Sequence, residues 1–174
     1  MNPSSISFKR IAFSLLLLPA LTGLAQKPAN RPVLHRPAAD FTLKTPIGED
    51  LRLSSLQGQY VIVDFWASWC MPCRASIPHL KEVYVRYHAE GLEIVSVSID
   101  ARPEAWKRAV EQEQMPWKQA LDTYTGENNF SDVSGGYGIR AIPYTLLLDK
   151  EGKVITINPE PHALDKQLKK LFGH

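Results

Sequence analysis

The chain contains two cysteines, Cys70 and Cys73, separated by two residues. They follow an apolar stretch, residues 61–66, interrupted only by Asp64. A run of β-branched and aromatic residues of this kind is typical of a strand buried on both faces. The pattern then becomes helical, so we expect both cysteines in the first turn of a helix. Unpaired N–H groups and the helix dipole favour a thiolate there, and we therefore hypothesise redox chemistry.

A structural disulfide and a metal site are the alternative uses of these cysteines. A bridge between them would close a ring of about four residues and would add little stability, because it barely constrains the unfolded chain. A structural zinc site needs about four ligands, and the chain has no second cysteine pair. Covalent haem attachment needs a histidine directly after the second cysteine, where this chain has Arg74. No histidine has metal-ligand spacing with the cysteines, so we expect no metal.

The first 25 residues have the pattern of a signal peptide. Lys9 and Arg10 form a basic start, residues 11–18 form an apolar run too short to span a bilayer, and residues 23–25 offer small side chains at a cleavage site. A retained membrane anchor is the alternative, and the shortness of the run argues against it. We expect residues 1–25 to be removed and the protein to be exported to the periplasm or the exterior of the cell envelope.

Charge and length define the rest of the chain. Two of the 20 basic residues lie in the expected signal peptide and no acidic residue does, which leaves 18 basic against 18 acidic side chains. No basic patch interleaved with aromatic residues is present, so we expect no nucleic-acid partner. Residues 26–37 contain three prolines and predict a flexible lead-in, and residues 38–174 predict one domain.

Periodicity and turn residues predict the order of elements in this domain. A hairpin around residues 45–50 comes first, and the buried strand and the cysteine helix with Pro78 inside it follow. The remaining predictions are strands at 92–99, 117–121, 144–148 and 154–157, helices at 103–114 and 162–172, a polar loop at 122–129 and a turn or short broken helix at 131–138. This order predicts an α/β protein with a mixed sheet and helices on both faces.

Residues 63–74, Val-Asp-Phe-Trp-Ala-Ser-Trp-Cys-Met-Pro-Cys-Arg, resemble the active-site signature of the thioredoxin superfamily. Pro78 resembles the site of its helix kink, and Ile142 with Pro143 resembles its cis-proline. The hairpin, the signal peptide and an insertion at about 102–132 resemble the exported bacterial thiol-disulfide oxidoreductases, a group that includes the cytochrome c maturation reductases. The resemblance covers residues 38–172 and implies a thioredoxin fold with an N-terminal β-hairpin and an inserted helix and loop.

The resemblance also implies roles for three residues. Cys70 is the implied nucleophile that forms a mixed disulfide with a substrate, and Cys73 is the implied resolving cysteine. Asp64 stands where thioredoxins keep a buried acid that shuttles a proton for the second cysteine. A carboxylate inside an apolar strand costs several kcal/mol unless it is neutralised or hydrogen-bonded, which suggests a function. The alternative is an aspartate that faces solvent from an edge strand.

The resemblance implies a substrate-binding surface around the cysteines. Pro143 is expected to present backbone groups to an extended substrate segment, and Trp69 to cover the disulfide. An ordinary trans proline that opens a strand is the alternative for Pro143. Trp66 is interpreted as a core residue. The expected surface consists of Trp69, Met71, Pro72, Ile142 and Pro143.

The predicted function is reduction of protein disulfides through dithiol exchange, with the Cys70–Cys73 disulfide as the only redox group. Met71 and Pro72 carry no charge, whereas strong oxidants of the superfamily tend to place a histidine between the cysteines. The expected partners are disulfide-containing client proteins and a membrane thiol donor, and we expect a monomer. Cytochrome c maturation is the client process that the group suggests, although some branches carry an acidic residue where this chain has Met71.

A copper chaperone and a thiol peroxidase are the alternative functions on the same fold. Copper chaperones of this fold typically have a wider spacing between their cysteines and a distant histidine. Peroxiredoxins carry a threonine or serine three residues before the reactive cysteine and a proline seven before it. This chain has Ala67 and Val63 at those positions, and Ala67 cannot supply a hydroxyl.

Overall fold

The apolar stretch before the cysteines forms the central strand of a mixed sheet. The computed structural model describes residues 30–122 and 132–174, and in it this strand is β3 (Tyr60–Trp66). It pairs in parallel with β4 (Leu92–Ser98) and antiparallel with β6 (Tyr144–Leu148). Six of the seven residues of β3 are buried, as a strand covered on both faces requires.

Four shorter strands complete the sheet. They are β1 (Thr42–Lys44), β2 (Asp50–Arg52), β5 (Lys118–Leu121) and β7 (Val154–Ile157). The spatial order is β2-β1-β5-β4-β3-β6-β7, with β4 and β5 parallel and the β1–β2, β1–β5 and β6–β7 pairs antiparallel. The predicted hairpin is confirmed, and the predicted strand at 117–121 is the element that connects it to the sheet.

The described part of the chain contains four α-helices. They are α1 (Met71–Tyr87), α2 (Pro103–Glu113), α3 (Asp132–Gly136) and α4 (Pro161–Phe172). Helix α1 begins at Met71, with Cys70 directly before it and Cys73 in its first turn, as predicted. Pro72 suits this start, because a proline is well tolerated in a first turn whose N–H groups have no intrahelical partners. Pro78 lies inside α1, as predicted.

Three of these helices share one face of the sheet. The connections β3–α1–β4 and β4–α2–β5 step in the same direction across the sheet, so the right-handed crossover rule places α1 and α2 on the same side. Leu164 and Leu168 of α4 join the same core cluster as Ile62 and Trp66 of β3. We call this side, which also holds both cysteines, the cysteine face.

The opposite face is covered by smaller elements. Val63 and Phe65 of β3 pack there with Phe41 beside the hairpin and Tyr137 after α3. Val133 of α3 packs against the same cluster. The prediction of a mixed sheet with helices on both faces is confirmed, with the five-residue α3 as the helix of this second face.

The expected lead-in is held against the sheet over part of its length. Leu34 and Pro37 form isolated bridges with Val154 and Lys153 of the β6–β7 hairpin. The N–H of His35 donates to the Val154 carbonyl at 2.8 Å, and the N–H of Val154 donates to the Arg36 carbonyl at 3.0 Å. The prediction of a flexible segment therefore missed these backbone contacts. They are made by His35 and Arg36, which lie between two of the prolines and keep their own backbone N–H groups.

Several sequence predictions lie outside the described residues. These are the signal peptide at 1–25, the first part of the lead-in at 26–29 and nearly all of the polar loop at 122–129. Within residues 30–122 and 132–174, no helix combines the length and the apolar character needed to cross a membrane.

Candidate active site

Cys70 and Cys73 are joined by a disulfide at the start of α1. Their sulfur atoms are 2.08 Å apart and their Cα atoms 5.3 Å apart. Cys70 is the N-cap residue of α1, and its sulfur accepts a hydrogen bond from the backbone N–H of Cys73 at 3.2 Å. An N-cap side chain characteristically accepts from this third N–H of the helix. The two-residue spacing therefore aims the Cys70 sulfur at a backbone donor that would also stabilise a thiolate.

The two cysteines differ slightly in exposure. Cys70 is 5% exposed and Cys73 is 2% exposed. Cys70 lies at the end of the loop that leaves β3 and Cys73 lies within the helix, and both pack in the core cluster of the cysteine face. This ranking agrees with an attacking Cys70 and a resolving Cys73, which stay predictions.

A carboxylate anchors the loop that leads into Cys70. Asp100, just after β4, accepts hydrogen bonds from the backbone N–H of Ser68 at 2.8 Å and from its hydroxyl at 2.7 Å. The hydroxyl of Ser98 donates to the same carboxylate at 2.8 Å. The loop itself turns tightly, because the N–H of Cys70 donates to the carbonyl of Ala67 at 3.0 Å. The end of β4 therefore holds the position of the segment that carries the first cysteine.

Asp64 is buried within the central strand. It is 4% exposed and, by strand alternation with Ile62 and Trp66, points to the cysteine face. The alternative of a solvent-facing aspartate on an edge strand is therefore wrong. The Thr145 hydroxyl donates to its Oδ1 at 3.3 Å and the Ser96 hydroxyl to its Oδ2 at 3.5 Å.

Burial raises the pKa of Asp64 to about 6, and the hydrogen bonds from Thr145 and Ser96 oppose this rise. Both hydroxyls donate to the charged form and so favour it, but desolvation is the larger effect. A carboxyl group with this pKa can take up and release a proton close to neutral pH.

The expected substrate surface is largely exposed. Trp69 is 63% exposed and Met71 is 70% exposed, and Pro72 and Pro143 are also exposed. Ile142 is half-buried and packs against both core clusters. Apolar side chains left in solvent around a buried disulfide are typical of a docking surface. Trp66, by contrast, is 1% exposed and is a core residue, as predicted.

Sheet register brings Pro143 to the cysteine end of the sheet. The peptide bond between Ile142 and Pro143 is cis, as the resemblance implies. Tyr144 pairs with Phe65 in the antiparallel β3–β6 ladder, so Pro143 comes next in line opposite Trp66. The loop to Cys70 leaves β3 at this same end. The structure thus gathers the predicted site residues where β3 ends and β6 begins.

Sequence reasoning missed the groups that surround Asp64. Ser96 is its cross-strand neighbour on β4 and Thr145 its neighbour on β6. Ser96 and Ser98 alternate with apolar residues in the second half of β4, and that alternation was the available signal. Sequence alone does not say which strands adjoin β3, so these hydroxyls could not be assigned to Asp64.

The histidines do not enter this site. His79 Nε2 lies 2.8 Å from Asp165 Oδ1, and this contact joins α1 to α4. Among the described residues, no group of three or more histidine, cysteine, aspartate or glutamate side chains is arranged to hold a metal ion.

Comparison with known proteins identifies the family. The family model described as AhpC/TSA matches residues 34–157. The chain is 31% identical over 122 residues to a thiol-disulfide oxidoreductase ResA of Bacillus cereus, covering 70% of this chain and 67% of that protein. It is 30% identical over 121 residues to ResA of Halalkalibacterium halodurans, covering 70% and 65%.

Solved structures show the same similarity. The thioredoxin domain of a thiol-disulfide oxidoreductase from Bacteroides vulgatus has a TM-score of 0.72 and 31% identity, with 80% of this chain and 98% of that chain covered. A proposed thiol:disulfide interchange protein DsbE from Chlorobium tepidum has a TM-score of 0.73 and 29% identity, with 82% and 99% covered. The predicted thioredoxin fold is confirmed. The chain belongs to the AhpC/TSA family within the thioredoxin superfamily and is a thiol-disulfide oxidoreductase of the CxxC type.

Proposed function

We propose that this oxidoreductase works outside the cytoplasm and reduces disulfide bonds in client proteins. The observation that carries the direction of electron flow is the absence of a free positive charge near Cys70 in the first turns of α1. Met71 and Pro72 are uncharged, and Arg74 is paired with Glu113 of α2 at 2.6 Å. A Cys70 thiolate that has the helix N-terminus but no adjacent free cation is stabilised less than one beside a positive charge, and this leaves the dithiol form a stronger reductant.

The reductive half-reaction follows from the two cysteines. The Cys70 thiolate attacks one sulfur of the client disulfide, forms a mixed disulfide and releases one client thiol. Cys73 then loses its proton to Asp64, attacks the Cys70 sulfur and releases the second client thiol. The client gains two electrons, and the chain is left with the Cys70–Cys73 disulfide that the structure contains.

The apolar surface around the disulfide supports a protein client. Trp69, Met71 and Pro143 are exposed and offer contact to an extended segment of polypeptide. Such a segment could pair its backbone with that of the chain beside Pro143, as in other strand-addition interfaces.

Export requires a separate source of electrons. The basic start and short apolar run of residues 1–25 support secretion, and extracytoplasmic compartments do not hold protein thiols reduced. Turnover therefore needs a dithiol donor that carries electrons across the membrane. Relatives named as thiol-disulfide oxidoreductase ResA and thiol:disulfide interchange protein DsbE support the assignment to thiol-disulfide exchange. Cytochrome c maturation, which the sequence resemblance suggests, would make the CxxCH haem-attachment segment of a cytochrome the client.

A stoichiometric reduction assay tests the proposal. The prereduced protein is mixed with insulin, or with an oxidised CxxCH peptide, and the released thiols and the oxidised state of the chain are measured. We expect one client disulfide to be reduced for each chain, and none by the Cys70→Ser variant. If the prereduced protein leaves both clients oxidised but consumes hydrogen peroxide, a thiol peroxidase replaces the reductase.

A further inference from the structure

Trp117 connects the inserted segment to the buried polar groups behind the cysteines. It precedes β5, and its indole N–H donates to the Ser96 hydroxyl oxygen at 2.8 Å. Trp117 is 5% exposed and Ser96 is 1% exposed, so neither group has water as a ready substitute partner. An indole N–H can only donate. The Ser96 oxygen must therefore accept, which leaves the single proton of its hydroxyl free to point elsewhere.

The group that this proton meets is Asp64. The Ser96 oxygen is 3.5 Å from Asp64 Oδ2, and the two residues are cross-strand neighbours in the β3–β4 ladder. Thr145 approaches the other carboxylate oxygen from β6 at 3.3 Å. Each oxygen of the carboxylate thus faces one hydroxyl, and among residues 30–122 and 132–174 only the Ser96 hydroxyl is itself held by a second side chain.

We propose that Trp117 is a positioning residue of the redox centre: its indole N–H orients the Ser96 hydroxyl so that this hydroxyl donates to the Asp64 carboxylate. This inference rests on the proposed role of Asp64 as proton acceptor for Cys73. It gives the inserted segment a part in the chemistry, since Trp117 comes from the connection between α2 and β5.

Other charged groups do not account for the state of Asp64. In the described part of the chain, it forms no ion pair with a lysine, arginine or histidine. Glu93 on β4 pairs with Lys118 of β5, and Asp100 at the end of β4 binds Ser68 and Ser98. From α1, Cys73, held in the disulfide, lies in the core cluster of this face, together with Tyr87 and the partly buried Tyr84. Neither tyrosine is among the groups that shift the pKa of Asp64. The hydroxyl donors are thus the contacts that favour ionisation.

Loss of the indole N–H should therefore make Asp64 harder to ionise. A freed Ser96 hydroxyl can turn its proton towards another acceptor, such as a backbone carbonyl, while the burial of Asp64 is unchanged. The oxygen–oxygen distance of 3.5 Å marks this as a weak hydrogen bond, so the effect of losing it on the pKa is modest. We expect the pKa of Asp64 to rise by roughly half a unit to one unit in Trp117→Phe.

The chain offers a matched control in Trp106 of α2. Trp106 is 2% exposed, and no hydrogen-bond partner of its indole N–H exists among the described residues. Trp106→Phe removes the same atoms from a buried site of the same inserted segment without removing a hydrogen bond. Ser96→Ala removes the hydroxyl itself and changes the volume by a single oxygen, so it tests the same link if Trp117→Phe fails to fold.

The experiment is a carbon-detected NMR titration of the Asp64 carboxyl group in the oxidised protein. The inference predicts a higher pKa in Trp117→Phe and in Ser96→Ala and a wild-type pKa in Trp106→Phe. A wild-type pKa in Ser96→Ala, or equal shifts in the two tryptophan variants, would overturn it. The titration needs no client protein, so the two proposals can fail separately. If the reductase function is wrong, client disulfides stay oxidised while the predicted pKa shifts of the variants are still observed.

Discussion

Asp64 combines a stability cost with a chemical use. It is a buried carboxylate whose described contacts are two hydroxyls and no cation. Its pKa of about 6 lies closer to neutral than the usual value near 4, so it accepts a proton from a thiol of pKa about 8.5 without holding that proton permanently. A residue with a lower pKa would be a weaker base, and a neutral residue could not accept the proton at all.

The first prediction concerns the stability of Asp64→Asn as a function of pH. The native pKa of about 6 lies above the ordinary value of 3.8, so the native state binds more protons than the unfolded state between these values and loses stability as pH rises through them. Below about pH 4 the variant and the wild type should differ little in this respect. Above pH 6 the variant should gain up to about 3 kcal/mol relative to the wild type.

Urea unfolding of both oxidised proteins at several pH values measures this difference. A difference between variant and wild type that stays constant from pH 4 to pH 8 would contradict a raised pKa. The same variant should resolve a mixed disulfide more slowly at pH 7, because an amide cannot accept the proton of Cys73.

The second prediction assigns the roles of the two cysteines. Cys73→Ser should accumulate a mixed disulfide between Cys70 and a client, because the attacking thiolate remains and the resolving thiol is gone. Mass spectrometry after incubation with an oxidised client detects the adduct and its site. Cys70→Ser is the matched variant and should yield little adduct, and an adduct that forms mainly on Cys73 would reverse the two roles.

Residue types revealed part of this site in advance. Asp64 could be identified because a carboxylate in an apolar strand has a high desolvation cost. The cysteines could be identified because of their two-residue spacing before a helix. Ser96 and Thr145 were invisible as its partners, since serine and threonine are common everywhere and only the strand order makes them neighbours. Trp117 was harder still to assign, because no local sequence pattern indicates that its indole reaches Ser96.

At the scale of elements, the connection between β3 and α1 depends on β4. Asp100 holds Ser68 by its backbone and its side chain, two residues before Cys70. The Arg74–Glu113 pair joins α1 to α2 just beyond the cysteines. The start of the cysteine helix is thus held from both sides by residues that follow β4.

The third prediction tests the carboxylate that anchors this loop. Asp100→Asn replaces one accepting oxygen with a donor, so it should lose a hydrogen bond from Ser68 or Ser98 and about 1–3 kcal/mol of unfolding free energy. Amide hydrogen exchange should become faster at Ser68.

Asp149→Asn is the control for that experiment. Asp149 accepts backbone N–H bonds from Glu151 and Lys153 in the β6–β7 turn, away from the loop. The Asp149→Asn variant should have a lower free energy of unfolding but the same rate of amide hydrogen exchange at Ser68. Unchanged exchange at Ser68 in Asp100→Asn would show that this carboxylate does not hold the loop.

Element existence was easier to predict than element contacts. The long periodic stretches that became β3, α1 and α4 were correctly placed, and the cysteines lie at the start of α1, as expected. The residues before position 38 were expected to be flexible because of their prolines, and their backbone bonds to β7 depend on an edge strand that local sequence does not reveal.

At the scale of the whole molecule, the two hydrophobic cores lie on the faces of the sheet and the redox site lies at one of its ends. Helices α1, α2 and α4 cover the cysteine face, and the hairpin and α3 cover the other. The disulfide lies at one end of the sheet, where β3 ends and β6 begins, so a client can approach it without disturbing either core. The motif at 63–74 and the order of elements were sufficient to predict this architecture, because the fold family is recognisable from them.

The reduction potential of the Cys70–Cys73 pair tests the central claim most directly. The protein is equilibrated with dithiol buffers of known potential, and the oxidised fraction is measured by thiol alkylation and mass spectrometry. Met71 and Pro72 are uncharged and Arg74 is ion-paired with Glu113, so we expect a reduction potential near that of thioredoxin, about −270 mV. A value near that of the strong oxidant DsbA, about −120 mV, would contradict a reductase and make the chain a donor of disulfides.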